Sequence, residues 1–349
     1  MLLPSLCSPG EAQQRLDQAP GRLLAVVEYG EQRRVKTQAL HIRVPLRASG
    51  GEPPIELWPA SGAVSRQAGN GVEISHDGTL LFGVMALRGV ARGGNFEERI
   101  GASYAAMTDA CRALGYPHPL RMWNFIPGIH ESHAGLDRYQ SFCRARHEPL
   151  ERHLKAIGDG FPAATVIGTR AQEGVIYFLA AKEPGRHLEN PRQLPPPEYP
   201  EAYGPRSPSF SRATLARSGG ETANAPSLAR GPRLDPIAES ALYISGTASI
   251  VGHESRHSFD TGRQTREILR NLEELVQTAG RASGLAFRDL RDIVRARVFL
   301  RDLADLPAVS ALLQPALPGA QPILYHEGDL CRRELMIEIE GIAVPGAPR

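Results

Sequence analysis

The sequence predicts an α+β protein built from two tandem units, each a mixed sheet with helices packed on one face. Three observations carry this. At 349 residues the chain suits about two domains with sizeable cores. Its apolar residues recur either every second position or at helical spacing, so strands and helices can be told apart. The same order, strand, helix, strand, helix, strand, strand, occurs once before residue 183 and again after residue 233.

In the first unit (1–183) residues 1–20 read as a loosely packed lead-in, and Leu23–Tyr29 and Ala39–Val44 as strands. Glu52–Ser65 reads as loop. Leu80–Leu87 is a buried strand, followed by the loop Arg88-Gly-Val-Ala-Arg-Gly-Gly94. Phe96–Leu114 carries Ile100, Tyr104, Met107 and Cys111 at helical spacing, and Gly115 ends it. Leu120–Ile126 is a strand, Leu136–Ile157 a helix, and Ala164–Gly168 and Gly174–Ala181 are strands. The second unit (233–345) repeats this with strands Ala241–Val251, Ile293–Leu300 and Gln321–His326, helices Arg263–Ala279 and Leu306–Leu317, and a last strand near Glu338.

Between the units, residues 184–232 change character. Residues 183–233 hold ten prolines and little periodicity. The cluster from Glu198 to Arg212 nevertheless carries two Tyr, a Phe and two Arg in fifteen residues, which is rare in a bare spacer. Its first half is expected to pack over a site.

Composition excludes several classes. A net charge of +2 with dispersed arginines argues against a nucleic-acid partner, so any anionic partner is small and held in one pocket. Cys7, Cys111, Cys143 and Cys331 are widely spread with no CxxC pair. That argues against a zinc site or a disulfide framework and favours a reducing compartment. The start, Met-Leu-Leu-Pro-Ser-Leu-Cys, lacks a basic leader and reads as no signal peptide, and no apolar run has membrane-spanning length. The expectation is a cytoplasmic protein, monomeric or a small homo-oligomer.

The most informative stretch runs from Cys331 to Ala343. From Glu334 to Ile342 it alternates, with Leu335, Ile337 and Ile339 on one face and Glu334, Met336, Glu338 and Glu340 on the other. Three carboxylates on one strand face repel, and Glu is a poor strand former. Either that face is solvated, or Glu338 points into a pocket and handles a proton.

The second unit resembles the RidA/YjgF-like fold through Tyr243-Ile-Ser-Gly-Thr-Ala248, Gln264…Leu269-Arg-Asn-Leu272, Val294–Asp302 and Met336–Ala343. That family deaminates imines and grips the carboxylate with an arginine. Aligned on the terminal Ile-Glu-Ile-Glu, that position here holds Ile323, which counts against imine deamination. The chain from about 80 to 345 is more similar to the chorismatases. The carrying motifs are Met122-Trp-Asn-Phe-Ile-Pro-Gly128, Gly135-Leu-Asp-Arg-Tyr-Gln-Ser-Phe-Cys143, Tyr203-Gly-Pro-Arg-Ser-Pro-Ser-Phe210, Ile244-Ser-Gly-Thr-Ala-Ser249 and Cys331…Glu338.

This resemblance implies conversion of chorismate with no metal or organic cofactor. It implies Glu338 as the proton donor to the enolpyruvyl methylene, with Glu340 structural. Cys331 and Gly246 match the hydroxybenzoate-forming branch, which releases 3-hydroxybenzoate, alone or with 4-hydroxybenzoate. The rival outcome is hydrolysis to a dihydroxycyclohexadiene carboxylate; the rival class is a RidA-like imine deaminase or small-molecule binder.

The substrate is a dianion and needs cations. Tyr139 and Arg146, seven apart, share a helix face, and Tyr203 and Arg206 match a second substrate-contacting segment. Arg297, mid-strand, is either a further carboxylate ligand or half of a structural ion pair. His253-Glu-Ser-Arg-His257 matches a zinc-protease pattern in letters, but its surroundings lack the helix that would put both histidines on one face.

Overall fold

The computed structural model describes residues 3–19, 21–49, 52–90, 95–217 and 239–347. The chain begins with an N-terminal layer: β1 (Ser5–Cys7), α1 (Pro9–Gln18), β2 (Leu23–Tyr29), β3 (Leu40–Val44), β4 (Arg47–Ala48) and β5 (Ile55–Pro59). Four of these strands form one sheet in the order β1-β5-β2-β3.

The first unit follows with β6 (Ser65–Gly69), β7 (Val72–His76), β8 (Leu80–Leu87), α2 (Phe96–Ala113), β9 (His118–Pro127), the hairpin β10 (Ser132–His133) and β11 (Leu136–Asp137), α3 (Arg138–Ile157), β12 (Ala163–Thr169) and β13 (Gly174–Ala181). The second comprises β14 (Arg186–Leu188), β15 (Ala213–Arg217), β16 (Ser240–Ala248), the hairpin β17 (Ile250–Val251) and β18 (Glu254–Ser255), α4 (Thr261–Ser283), β19 (Ile293–Leu300), α5 (Leu306–Ala316), β20 (Leu324–Glu327) and β21 (Ile337–Ala343).

The two large sheets correspond strand for strand. One runs β12-β9-β13-β8-β7-β6, the other β20-β19-β21-β16-β15-β14, with β4 added beyond β20. In each, the single parallel pair is in the same place, β12 with β9 and β20 with β19. This is the duplicated α+β arrangement expected. The helices α2 and α3 cover one sheet through Ile100, Tyr104 and Phe142, and α4 and α5 cover the other through Ile268, Leu272 and Leu313. The opposite faces meet each other and the N-terminal layer in a shared core of Trp58, Phe82, Trp123, Tyr177, Tyr243 and Phe299. Each such side chain contributes roughly 1.5–3 kcal/mol by leaving water.

Three expectations change. Residues 1–20 are not a loose lead-in where described: Ser8 and Glu11 close a capping box on α1, whose Ala12 and Leu16 are buried. The expected loop Glu52–Ser65 contains β5, fully buried because Leu57 and Trp58 face cores on opposite sides. The segment 184–232 supplies β14 and β15 to the second sheet; its residues 218–232, like 91–94 of the glycine-containing loop, lie outside the described residues. Among the described residues no helix is long and apolar enough to cross a membrane.

Candidate active site

The last strand, β21, differs from a strand with one wet face. Ile337 and Ile339 enter the core under α4 and α5, while Glu338 and Glu340 are 5% and 2% exposed on the other side. They are buried because the first sheet lies over them. Glu340 receives hydrogen bonds from Arg121 and Trp123 of β9 and from Thr165 of β12. Glu334, expected on the same face, instead sits in the turn before β21 and accepts from Ser255 Oγ at 2.6 Å.

Glu338 faces a cavity of about 350 Å³ between the two units. Burial, then the neighbouring Glu340 carboxylate, pushes its pKa up to about 8, against the pull of Arg121 and Arg212. At neutral pH the group is therefore mostly a protonated acid. Gly246, on β16, forms the wall beside it. A Cβ built on Gly246 would collide with Glu338 Oε1 and lie 2.8 Å from its Cδ. Only glycine leaves the carboxyl where it is.

The turn 331–336 brings Cys331 and Arg332 to the same cavity. Buried Gln264 pins it, donating to the Glu334 carbonyl at 2.8 Å and accepting from Met336 N–H at 2.7 Å. Arg301 holds the carbonyls of Arg332 and Leu335, both at 3.0 Å. Burial pushes the Cys331 thiol up to about 12, with Glu338 adding to the rise, so it is a neutral thiol and no nucleophile at physiological pH. Tyr139, just inside the capped start of α3, also lines the cavity, and burial holds its phenol well above the usual range.

The proline-rich segment closes the other side with Tyr199, Tyr203, Phe210 and Arg212. Arg332 lies flat on Tyr203, its guanidinium carbon 3.8 Å from the ring centroid, and donates to the His253 carbonyl at 2.9 Å and Ser255 Oγ at 3.0 Å. Arg212 donates to the Leu194 carbonyl and the Tyr199 hydroxyl. Among the described residues both guanidiniums thus bond neutral groups, which leaves their charge to an anion in the cavity, although that of Arg212 also acts on Glu189. Arg333, a third cation on the lining, donates to the His130 carbonyl at 2.8 Å.

Three sequence candidates lie elsewhere. Arg146 is 1% exposed and bonds the Tyr104 hydroxyl at 3.2 Å and the Ser209 carbonyl. It anchors the segment that presents Phe210 and Arg212, but does not line the cavity. Arg297 is locked by both its Nε and Nη2 to Glu56, at 2.7 and 2.6 Å, and by Nη1 to Glu340. Of its two readings, the geometry is that of the structural ion pair. Arg206 is exposed, and its charge acts on His147 and Glu151 of α3. Ile323 is buried in the core under α4 and α5. The histidines of the HExxH letters part company: His253 Nδ1 meets the Tyr203 hydroxyl at 3.1 Å, and His257 Nε2 faces Glu267 at 3.7 Å.

Reasoning from sequence missed Arg212 and Arg332. A signal for Arg212 existed: it lies two residues after Phe210 on the way into β15, so alternation puts both on one face, and both line the cavity. Arg332 had none beyond its place beside Cys331.

Fold and site together define a duplicated α+β enzyme equipped for general-acid chemistry on a small anion. Residues 56–180 match the family model described as chorismatase FkbO/Hyg5-like, N-terminal. The chain is 34% identical over 310 residues to a 3-hydroxybenzoate synthase of Streptomyces hygroscopicus, covering 87% of this chain and 85% of that protein. It is 32% identical over 292 residues to a chorismatase of Streptomyces rapamycinicus, covering 82% and 81%. A crystal structure of a chorismatase superposes with a TM-score of 0.80 at 27% identity, covering 99% of this chain and 98% of the other. The chain belongs to the chorismatase family.

Proposed function

We propose that this enzyme converts chorismate to 3-hydroxybenzoate and pyruvate, with Glu338 as the acid. The observation that carries the reading is a carboxyl of pKa about 8 on the wall of a 350 Å³ cavity lined by Arg212 and Arg332, whose guanidiniums bond neutral partners among the described residues. The volume suits a small dianionic ring compound. Arg212 and Arg332 take its carboxylates; Tyr139 and Tyr203 form ring contacts along the wall. A fixed guanidinium also substitutes for the water that the carboxylates leave behind.

Glu338 gives its proton to the enolpyruvyl methylene, producing an oxocarbenium ion at the adjacent carbon. The neighbouring ring hydroxyl then attacks the carbon bearing the ether. The ether bond breaks with its electron pair on the leaving oxygen, which becomes the pyruvate carbonyl. The attacking hydroxyl loses its proton to the Glu338 carboxylate, so the acid is restored. Opening of the resulting epoxide with loss of a ring hydrogen as a proton gives the aromatic acid. No water is consumed, which fits a neutral Cys331 thiol and a glycine at 246 that leave little to hold an attacking water. Gly246 and Cys331 also stand in the sequence resemblance to the hydroxybenzoate-forming branch.

The test is incubation of purified protein with chorismate, with products identified by mass spectrometry and NMR. Pyruvate and 3-hydroxybenzoate in equal amounts are expected. No pyruvate above the spontaneous rate would sink the proposal. A dihydroxycyclohexadiene carboxylate would keep the substrate and overturn the aromatic product, and 4-hydroxybenzoate beside the 3-isomer would widen it.

A further inference from the structure

The pairing of β16 with β21 slips between Ile244 and Thr247. Within that irregularity the Gly246 N–H is satisfied from the other unit, donating to the Thr165 hydroxyl of β12 at 2.9 Å. One residue earlier the crossing is repeated, with Ala164 N–H donating to Ser245 Oγ at 2.9 Å. Thr165 is 1% exposed, and its hydroxyl has two further partners: it donates to Glu340 Oε2 and accepts from Arg121 Nη2. One bond given and two accepted is the full capacity of a hydroxyl.

We infer that Thr165 is a positioning residue for the proposed reaction, its hydroxyl fixing Gly246, against which the Glu338 carboxyl packs, and Glu340, two residues along the same strand. The inference rests on the reading of Glu338 as proton donor. Its physical content is a shortage of slack. Glu338 Cδ would be only 2.8 Å from a Cβ on Gly246, so a shift of this backbone toward the carboxyl displaces it. Glu340, two residues along the strand, is held by the same hydroxyl. Thr165 is not on the lining of the cavity, unlike its neighbours Ala164 and Val166, so its expected effect falls on alignment and not on binding.

Thr165→Val removes the hydroxyl and keeps the shape; Thr165→Ser keeps the hydroxyl. Steady-state pyruvate release from chorismate is measured for both beside the wild-type full-length chain. Valine is expected to lower kcat about 10- to 100-fold, the size of a misplacement near 1 Å, with KM within about 3-fold; serine stays within about 5-fold of wild type. Wild-type kcat in the valine variant, an equal loss in the serine variant, or a change carried by KM would each overturn the inference. Should circular dichroism show the valine variant unfolded, Thr165→Ala takes its place under the same criteria. Failure of both to fold would assign the hydroxyl to stability and overturn the positioning role. An inactive wild type is a separate result, which removes the proposed function and this inference with it.

Discussion

Gly246 and Glu338 occupy adjoining volumes with no room between them: a Cβ on Gly246 would lie 2.8 Å from Glu338 Cδ. The two residues are far apart in sequence and meet because β16 and β21 are neighbours in the second sheet. Gly246→Ala must therefore push the carboxyl off its position or move the β16 backbone. Turnover should fall about 10- to 100-fold, since a catalytic group displaced by about 1 Å costs that much. Product analysis should also show a larger share of the dihydroxycyclohexadiene acid, because a displaced acid no longer excludes an attacking water. Unchanged rate and product would show that the wall is softer than its geometry.

Glu338 also sets a pH dependence. In the proposed reaction its acid form is the active one, so kcat/KM should be level near neutrality and fall as pH rises through about 8. The same shift bears on stability. A carboxyl whose folded-state pKa is raised binds its proton more tightly in the folded chain than in the unfolded one. Its contribution is full below the ordinary value of 4.5 and is lost as pH rises through about 8. Above that, the buried carboxylate costs on the order of 5 kcal/mol. Glu338→Gln should lose turnover by at least about 10³-fold, as removal of an essential acid does. Its melting temperature relative to wild type should rise between pH 5 and pH 9. A melting difference that does not depend on pH would place the acid's pKa elsewhere.

Arg332 is predicted to act in binding. Its guanidinium rests on the Tyr203 ring and is oriented by the His253 carbonyl and Ser255 hydroxyl. Arg332→Ala should raise KM for chorismate about 10- to 100-fold, the worth of a charge-assisted bond of 1.5–3 kcal/mol in order of magnitude, with a smaller change in kcat. Tyr203→Phe keeps the ring under Arg332 and gives up only the contact with His253 Nδ1, so its effect on KM should be several-fold smaller. Steady-state kinetics on the two variants decides the order.

Much of the fold was legible because its long elements announce themselves. The strands β8 and β13 are continuous apolar runs, β19 is apolar apart from Arg295 and Arg297, and α2 and α4 carry apolar residues at helical spacing. In the N-terminal layer β2 and β3 were legible as apolar runs, but β1, α1 and β5 were not, since β1 has 3 residues, β5 has 5, and α1 buries only Ala12 and Leu16. In the site, Glu338 drew notice because three glutamates on one strand need a reason. The arginines were harder for a physical cause. A strand packed on both sides hides whether a charge meets a cavity or an opposite charge, and only the fold shows Glu56 arriving from the N-terminal layer to take Arg297. Arg146 likewise sits on the helix face that its spacing implied, yet meets the Ser209 carbonyl before it could reach the cavity.

Arg297 supports the last prediction. Glu56 of β5 meets it from the N-terminal layer in a two-bond pair, while Glu340 takes its third nitrogen, and all three side chains are nearly or fully buried. Removing one member leaves charge in a core that offers no water, which typically costs about 3–5 kcal/mol. Arg297→Met should therefore lower the unfolding free energy by about that amount in urea titrations, through Glu56 above all. The double variant Arg297→Met with Glu56→Met removes both charges of the pair and should recover much of the loss, since an apolar replacement of a buried pair is often neutral. In folded protein, KM for chorismate should stay within about 3-fold, because Arg297 does not line the cavity that Glu338 faces, and a single charge-assisted contact to substrate would be worth about 10-fold or more. A KM rise of that size in the double variant, with stability restored, would return Arg297 to the carboxylate-binding role.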